Sequence, residues 1–392
     1  MKKALVFGAG NIGRGFLGVL LHQSGYATTF ADVDAAKVAL LNQHGAYPVY
    51  VCSKGGITEQ AVSGVDAVSV RDSEAITSAI CNADIILTAV GKVALEGAAE
   101  VLAKGLMERA RVRPASELPI VVIACENVQD NTAYLAGLTK QRLPTEYRKK
   151  LDAVSFPNCI VDRIVPSVLP ASAQGHPLAV AVEDYYQFVV DATQLRMDFP
   201  AIQGVELVEG VSAKLEQKLF TLNMAHGIVG YYGKLKGYEF VHEAIGDPTI
   251  LQLLQGALRE VEELMVKRHP AITRNDQQSY SARVVDRFGN PYLRDSLLRV
   301  ASQPKRKLAG NERLVRPARL LWQLGQIPAH LATGIASAFH FNNPADKQAA
   351  ELQAELQAQG IEAVLQKVAG LAPKHNLAQL VRADFLLGAL AR

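Results

Sequence analysis

Three side chains that could take part in catalysis fall within nine residues of the segment 217–226, QKLFTLNMAH, whose apolar residues have the spacing of a packed helix. They are Lys218, Asn223 and His226, and a lysine, an amide and an imidazole can together accept a proton and hold oxygen atoms. At about 100° per residue on an α-helix, Asn223 lies about 140° and His226 about 80° around from Lys218. This arc is too wide for one stripe, but a long lysine can reach into a concave site. Taken alone, the segment is more typical of a packed helix with a solvent-facing lysine and a core histidine.

A second set of residues matches the chemistry of nucleotide binding. The segment VFGAGNIGRG has G-x-G-x-x-G spacing, directly after a predicted strand and at the start of a helix. In such a turn the first glycine allows the sharp bend, the second lets a diphosphate approach, and the third lets helix and strand pack closely. The residues predicted to bind a dinucleotide are Gly8, Ala9, Gly10, Asn11, Ile12, Gly13 and Arg14. Arg14 either adds charge beside the diphosphate or lies on the helix surface.

An acidic residue follows at the distance expected of a ribose ligand. The next strand ends in FADVD, and Asp32 stands 24 residues after Gly8, close to the ~20 residues that separate such an acid from the fingerprint. A carboxylate at this position binds the ribose hydroxyls and repels a 2′-phosphate. The sequence therefore predicts NAD rather than NADP as the cofactor.

A dinucleotide domain followed by a second domain predicts hydride transfer, which needs an acceptor for the alcohol proton. A zinc-dependent route requires sets of Cys and His ligands, but the four cysteines lie far apart and form no C-x-x-C pair. We therefore expect no metal. Tyr232 and Lys236 match the Tyr-x-x-x-Lys of short-chain reductases, but they lie outside the predicted nucleotide fold, and we treat the match as coincidence. A lysine base, Lys218, is the third route.

The elements that must position these residues divide the chain into two parts. The first half alternates short β-branched strands with helices, which is typical of a parallel sheet covered by helices. The chain then crosses an irregular segment, MDFPAIQGVELVEG, and turns helical over about 211–268, 291–340 and 344 to the end. We predict an α/β protein: an NAD-binding Rossmann-type domain with a doubly wound sheet (1–192), followed by a mainly α-helical substrate and catalytic domain (193–392).

Composition and charge limit the class of protein. Hydrophobic residues make up 49% and charged residues 20%, as in soluble globular proteins, and no apolar run approaches the ~18 residues of a membrane span. A strand begins almost at the first residue and leaves no room for a signal peptide, so we expect a cytoplasmic location. The net charge of +3 conceals a basic window, 267–319, with 13 Lys and Arg against 4 Asp and Glu. Such a window is usually a solvated face, but it can also hold a small phosphorylated ligand.

These segments resemble the polyol-specific long-chain dehydrogenases and reductases. Lys218, Asn223 and His226 match that family's K-x-x-x-x-N-x-x-H signature position for position. FGAGNIGRGF, ACEN, VDRIVP and RFGNPYLRD extend the similarity over essentially the whole chain. The short N-terminus and the segment QPKRKLAGNERL (303–314) look most like members that act on mannitol 1-phosphate. The resemblance implies a metal-independent, NAD-linked interconversion of D-mannitol 1-phosphate and D-fructose 6-phosphate.

The resemblance also implies a role for each residue of the signature. Lys218 would be the general base that takes the hydroxyl proton while hydride leaves the same carbon. Its pKa would have to fall from about 10.4 through desolvation and the charge of the nicotinamide. Asn223 and Asn127 would donate hydrogen bonds to the oxygen as it gains alkoxide character. His226 would hold a neighbouring substrate hydroxyl.

Within the basic window, we expect Arg306 and Lys307 to bind the substrate phosphate, because guanidinium and ammonium groups suit phosphate oxygens. The next candidates are Arg283, Arg287, Arg294 and Arg313. The expected partner is a small sugar phosphate or polyol phosphate, without nucleic acid or membrane, and a monomer is compatible with this function. Three alternatives stay open: a relative acting on an unphosphorylated polyol or a sugar acid, a non-redox protein that holds NAD, and a basic binding module.

Overall fold

The computed structural model describes residues 1–173 and 175–390, which fall into two compact units, Met1–Ser212 and Ala213–Arg392. The sequence predicted a boundary after residue 192. Residues 193–212 instead belong to the first unit, because Val205–Val208 pairs in parallel with Gln187–Asp191 as part of a sheet. None of the described helices is both long and apolar enough to cross a membrane.

The strands of the first unit include several that the sequence did not predict. The strands are β1 Lys2–Phe7, β2 Tyr26–Asp32, β3 Ala46–Ser53, β4 Gly56–Ser63, β5 Val65–Ser69, β6 Ile85–Thr88, β7 Ile120–Ala124, β8 Val154–Ser155, β9 Cys159–Asp162, β10 Val180–Glu183, β11 Gln187–Asp191 and β12 Val205–Val208. They form a six-stranded sheet and two three-stranded sheets, of order β10-β3-β4 and β12-β11-β9. The hairpin β3–β4 was missed because β4 is largely exposed and polar.

The six-stranded sheet has the order β5-β2-β1-β6-β7-β8, and every neighbouring pair is parallel. This is the doubly wound order in which the chain reverses direction beside the first strand. Phe7 at the end of β1 pairs with Ala31 of β2 and with Thr88 of β6. The carboxyl ends of these three strands therefore lie together, and the predicted Rossmann-type fold is confirmed.

Helices cover both faces of this sheet. They are α1 Val19–Gln23, which continues a π-helical turn Gly13–Gly18, α2 Ala35–His44, α3 Ser73–Asn82, α4 Leu95–Val112, α5 Asn131–Arg142 and α6 Thr145–Arg148. Alternate residues of β1 enter different cores: Val6 packs with Phe16 and Phe30, whereas Leu5 joins the cluster on the other face. A strand buried on both faces reads as a continuous apolar run, as β7 does in IVVIA.

The described part of the second unit consists of helices and loops, with one isolated bridge between Phe240 and Ser296. Its helices are α7 Ser212–Lys218, α8 Met224–Leu235, α9 Val241–Ile245, α10 Pro248–Arg268, α11 Arg274–Phe288, α12 Leu297–Ala301, α13 Pro304–Lys307, α14 Val315–Gln323, α15 Ala329–Phe339, α16 Lys347–Val364 and α17 Asn376–Leu390. The sequence did not predict α11, because this polar helix buries only four of its residues. Helix α8 is central and packs against α9, α10, α12 and α15.

Candidate active site

The glycine-rich turn has the geometry that its spacing predicted. Gly8 has φ +97°, and a Cβ at this position would lie 2.5 Å from the backbone oxygen of Ala89. A Cβ on Gly13 would lie 1.9 Å from the oxygen of Gly8, so both positions require glycine. Gly10 has no heavy atom within 4 Å of a Cβ position, and its backbone is open to an approaching group. This is the cradle that a dinucleotide diphosphate needs.

Arg14 contacts the glycine-rich turn from the protein interior and does not lie on the helix surface. It is buried, and its guanidinium donates a hydrogen bond to the carbonyl oxygen of Ala9. Tyr47 Oη donates to the backbone oxygen of Arg14 at 2.9 Å. Burial lowers the pKa of Arg14, although Tyr47 and Asp32 act in the opposite direction. Asn11 is exposed at the tip of the turn, and Ile12 is half-buried beside it.

Asp32 is fixed by the glycine-rich turn and by the start of α2. Its Oδ2 accepts a hydrogen bond from Ala9 N at 2.8 Å, and its Oδ1 accepts one from Asp34 N at 3.0 Å. Lys37 Nζ lies 3.3 Å from Oδ2. Burial raises the pKa of Asp32, but the two amides and Lys37 outweigh it and lower the pKa. Each carboxylate oxygen can accept two hydrogen bonds, so Oδ1 has capacity for a ribose hydroxyl.

Glu126 is a site residue that the sequence did not single out. It is buried after β7, and its Oε2 accepts from Thr88 Oγ1 at 2.7 Å while its Oε1 accepts from Val90 N at 2.9 Å. Burial raises the pKa of Glu126, and bonds from Thr88, Val90 and Gly91 oppose the rise. The exposed Asn127 follows directly. Glu126 thus ties the loop after β6 to the strand end that carries Asn127, and its place before that asparagine in ACEN was the available signal.

The helix that carries the signature changes its pitch between Lys218 and Asn223. Helix α7 ends at Lys218, Leu219–Asn223 forms a π-helical turn, and α8 starts at Met224. Met224 N–H donates to Leu219 O, five residues earlier. In a π-turn residues five apart are about one turn apart. The separation of about 140° that a regular α-helix predicts therefore does not apply, and Lys218 and Asn223, which are both buried, are about one π-turn apart.

His226 follows Asn223 by one α-helical turn and is enclosed by its own unit. Its ring lies 4.3 Å from the ring of Phe288 of α11, centroid to centroid. Its Nε2 lies 3.7 Å from Asp295 Oδ2 and has no hydrogen-bond partner within the described structure. Burial, and then the positive charges of Arg299, Arg287, Arg313 and Lys307, lower the pKa of His226 well below 6.5. The imidazole is therefore neutral at pH 7.

The four cations that act on His226 belong to a basic cluster. We define it as Arg287, Arg299, Arg306, Lys307 and Arg313, because four of these residues act on His226 and because Arg299, Arg306 and Arg313 also act on Lys307. Lys307 Nζ is buried and donates a hydrogen bond to Val300 O at 2.5 Å. Burial and the neighbouring cations lower the pKa of Lys307 well below 10.5.

Two carboxylates partly balance this cluster. Asp295 accepts from Arg299 Nε and Nη2, both at 2.6 Å. Glu312 accepts from Arg313 Nε at 3.0 Å and from Arg306 Nη1 at 3.2 Å. Basic side chains that are concentrated in this way suit a multiply charged anion.

The structure separates other candidates from this cluster. Arg294 is exposed and stacks over the ring of Phe240 at 4.5 Å. Arg283 lies on an exposed position of α11. Lys236 pairs with Asp247 at 2.9 Å, which accounts for one member of the Tyr-x-x-x-Lys match. The described residues contain no group of three His, Cys, Asp or Glu side chains that could hold a metal ion.

Comparison with known families agrees with this architecture. The family model of the mannitol dehydrogenase Rossmann domain matches residues 2–204, and that of the mannitol dehydrogenase C-terminal domain matches residues 211–386. The chain belongs to the mannitol dehydrogenase family. Its membership confirms the predicted resemblance at the level of the family.

Solved structures show the same fold. Mannitol 2-dehydrogenase of Pseudomonas fluorescens, in a ternary complex with NAD and D-mannitol, has a TM-score of 0.78 at 18% identity, over 100% of this chain and 92% of that one. A substrate-free D-sorbitol dehydrogenase has a TM-score of 0.77 at 19% identity, over 99% and 93% of the two chains. A D-mandelate dehydrogenase with NADH and anilino(oxo)acetate is more distant, with a TM-score of 0.52 at 13% identity over 90% and 99%.

Proposed function

We propose that this member of the mannitol dehydrogenase family interconverts D-mannitol 1-phosphate and D-fructose 6-phosphate, with NAD and without a metal ion. The open backbone at Gly10 and the acceptor capacity of Asp32 support NAD as the cofactor. A related solved structure contains NAD together with a polyol, D-mannitol. NAD, when bound, supplies the hydride acceptor.

Three side chains then act on the hydroxyl of the reacting carbon, and a fourth acts on the hydroxyl next to it. Lys218 takes the hydroxyl proton as the carbon–hydrogen bond breaks, and returns it in the reverse direction. Asn223, one π-turn away, and Asn127 donate hydrogen bonds to the same oxygen as negative charge develops there. His226 is neutral, so it can either accept or donate a hydrogen bond to the adjacent hydroxyl.

The observation that carries the phosphate assignment is a group of buried basic side chains, Arg287, Lys307 and Arg313, whose charges, with that of Arg299, also lower the pKa of His226. An uncharged polyol would leave these basic side chains without an anionic ligand, whereas a phosphate would pair with them. A phosphate held there would fix which carbon of a linear polyol reaches Lys218. The predicted contacts Arg306 and Lys307 belong to this basic cluster, and we add Arg313, whose guanidinium is also buried.

The direct test is oxidation of NADH with fructose 6-phosphate and with fructose, followed by NADH absorbance. A site with buried donors for phosphate should prefer the phosphorylated sugar by roughly 10⁴-fold in kcat/KM, because those donors are otherwise unpaired. Equal efficiencies would contradict the phosphate assignment but not the polyol dehydrogenase chemistry. NAD that stays bound through dialysis, with no absorbance change for any sugar, would favour a non-redox protein.

Substitutions locate the phosphate within the cluster. Arg306→Ala, Lys307→Ala and Arg313→Ala should each raise KM for fructose 6-phosphate and narrow its advantage over fructose, with NADH affinity unchanged. Arg294→Ala is the matched control, because this arginine stacks on Phe240 outside the cluster. If all three variants discriminate like the parent, the phosphate is held elsewhere.

A sugar acid is the second candidate substrate, because guanidinium groups pair with carboxylates as readily as with phosphates. The same assay therefore includes hexuronates as a third arm. Turnover of a hexuronate with none of fructose 6-phosphate would transfer the role of the basic cluster from phosphate to carboxylate.

A further inference from the structure

Gln277 of α11 makes a buried bridge to the π-turn that separates Lys218 from Asn223. Its Nε2 donates to Thr221 Oγ1 at 2.9 Å, and its Oε1 accepts from Gln217 Nε2 at 3.0 Å. Gln277 and Thr221 are both fully buried. Both ends of the Gln277 amide are thus bound to the helix that carries the signature.

The two bonds bracket the point at which the helix widens. Gln217 immediately precedes Lys218 in α7, and Thr221 lies in the middle of the Leu219–Asn223 turn. A π-turn has fewer favourable contacts than an α-helix and is rare without outside support, which is why such turns concentrate at functional sites. Gln277 supplies that support from a separate helix. Toward the other end of α11, Phe288 stacks against His226, so one helix contacts the signature at two points.

We propose that Gln277 is a positioning residue of the active site. It holds the π-turn open, so that Lys218 and Asn223 lie one turn apart and can reach the same substrate oxygen. Without this bridge, the turn can relax toward α-helical geometry, which would rotate Lys218 away from Asn223. The inference rests on the proposed roles of Lys218 and Asn223.

The test uses the full-length protein and two substitutions that break the same hydrogen bond. Gln277→Met keeps the side-chain length but removes both bonds, and Thr221→Val keeps the shape of the threonine. Each should lower kcat by roughly 10-fold to 100-fold, the effect of a misplacement of about 1 Å, with KM for fructose 6-phosphate unchanged. The double variant should be no slower than the slower single variant, because one interaction has been removed twice.

Gln278→Met is the matched control. Gln278 is the next residue of α11, is exposed, and donates to Glu262 Oε1 at 2.9 Å away from the signature. The Gln278→Met variant should keep the parental kcat. Parental kcat in Gln277→Met, or additive losses in the double variant, would overturn the proposal. If Gln277→Met does not fold, the kcat of Thr221→Val compared with that of the parent tests the proposal alone.

A second readout does not depend on turnover. Mass spectrometry of amine acetylation should show that Gln277→Met changes the labelling rate of Lys218 several-fold and leaves that of Lys214 as in the parent. If the parent turns over no sugar, the proposed function fails, but the labelling still decides whether Gln277 positions Lys218. Unchanged labelling of Lys218 would then count against the bridge.

Discussion

Lys218 is the residue on which the proposed proton transfer depends, and it occupies a restricted position. It ends α7, it is 9% exposed, and the π-turn begins directly after it. The proposed base therefore stands at the junction between the α-helix and the wide turn that carries Asn223.

Lys218→Ala should therefore remove the base while leaving the nucleotide site intact. We expect kcat for polyol phosphate oxidation to fall by roughly 10² to 10⁴, with the affinity for NADH unchanged. Initial rates and an NADH titration measure the two quantities. Lys214→Ala, in the same helix, is the control, and near-normal turnover of the Lys218 variant would refute the assignment of the base.

Asp32 and Lys37 should together determine the choice of dinucleotide. Asp32→Ala removes the carboxylate that repels a 2′-phosphate and releases the ammonium of Lys37, 3.3 Å away, to bind that phosphate. The efficiency with NADP relative to NAD should rise by roughly 10-fold, the equivalent of about 1.4 kcal/mol. Adding Lys37→Ala should cancel the rise. The measurement is kcat/KM for both cofactors. If the ratio of the NADP value to the NAD value does not change, Asp32 and Lys37 do not determine the choice of cofactor.

His226 should make the protein sensitive to mild acid. Its pKa lies well below 6.5 in the folded protein, whereas the unfolded chain protonates near 6.5. The unfolded state thus binds more protons below pH 6.5, so the free energy of unfolding falls as pH falls, by no more than about 2 kcal/mol at pH 5. Denaturant titrations should show a smaller loss between pH 8 and pH 5 in His226→Asn. At pH 8 the imidazole of His226 is neutral in both the folded and the unfolded parent, so the difference in stability between parent and variant at that pH gives the effect of the substitution itself. Parallel curves of unfolding free energy against pH would contradict the prediction.

At the scale of elements, the sequence predicted what local sterics and continuous apolar runs determine. The glycine spacing encodes contacts between Gly8, Gly13 and nearby backbone, and β7 reads as a strand because all its residues are buried. The π-turn could not be predicted, because a helical wheel assumes a constant pitch. Its support comes from Gln277, which lies 56 residues from Thr221 and in a helix that shows little apolar periodicity.

Glu126 joins two elements, and its removal should loosen the loop after β6. Glu126→Ala leaves Thr88 Oγ1 and Val90 N without their acceptor. The free energy of unfolding should fall by about 1–3 kcal/mol, and NADH should bind more weakly because the loop is no longer held. Glu126→Gln should lose less, since its amide can accept from Val90 N and donate to Thr88. Chemical denaturation and NADH titration test both variants. If Glu126→Ala matches the parent in stability and in NADH affinity, the loop does not depend on the hydrogen bonds to Glu126.

At the scale of the whole molecule, charge is concentrated in one stretch of the chain. The net charge is only +3, yet residues 267–319 carry a balance of +9. Within the basic cluster, Arg299, Arg306 and Arg313 each disfavour the charge on Lys307. An anion that binds the folded cluster should therefore stabilise the protein by mass action.

Inorganic phosphate should raise the midpoint of thermal unfolding above that measured in chloride at equal ionic strength. Phosphate also stabilises proteins in general by exclusion from their surface. Arg313→Ala therefore serves as the reference, because it keeps the general effect and weakens the specific one. If phosphate raises the midpoint of thermal unfolding by the same amount in the parent and in Arg313→Ala, the cluster does not bind the anion.

The wide turn at Leu219–Asn223 also bears on which changes in chain length this helix can tolerate. A π-turn accommodates one more residue than an α-helical turn over the same rise. Deleting one residue inside it would restore a regular helix and leave every residue of α8 in its present orientation. A deletion within α8 itself would instead rotate all that follows by about 100° and move its buried face, including Ile228 and Tyr231, out of the core. Natural length variation in this helix should therefore fall within the turn, where its cost is the loss of the Lys218–Asn223 alignment rather than of the fold.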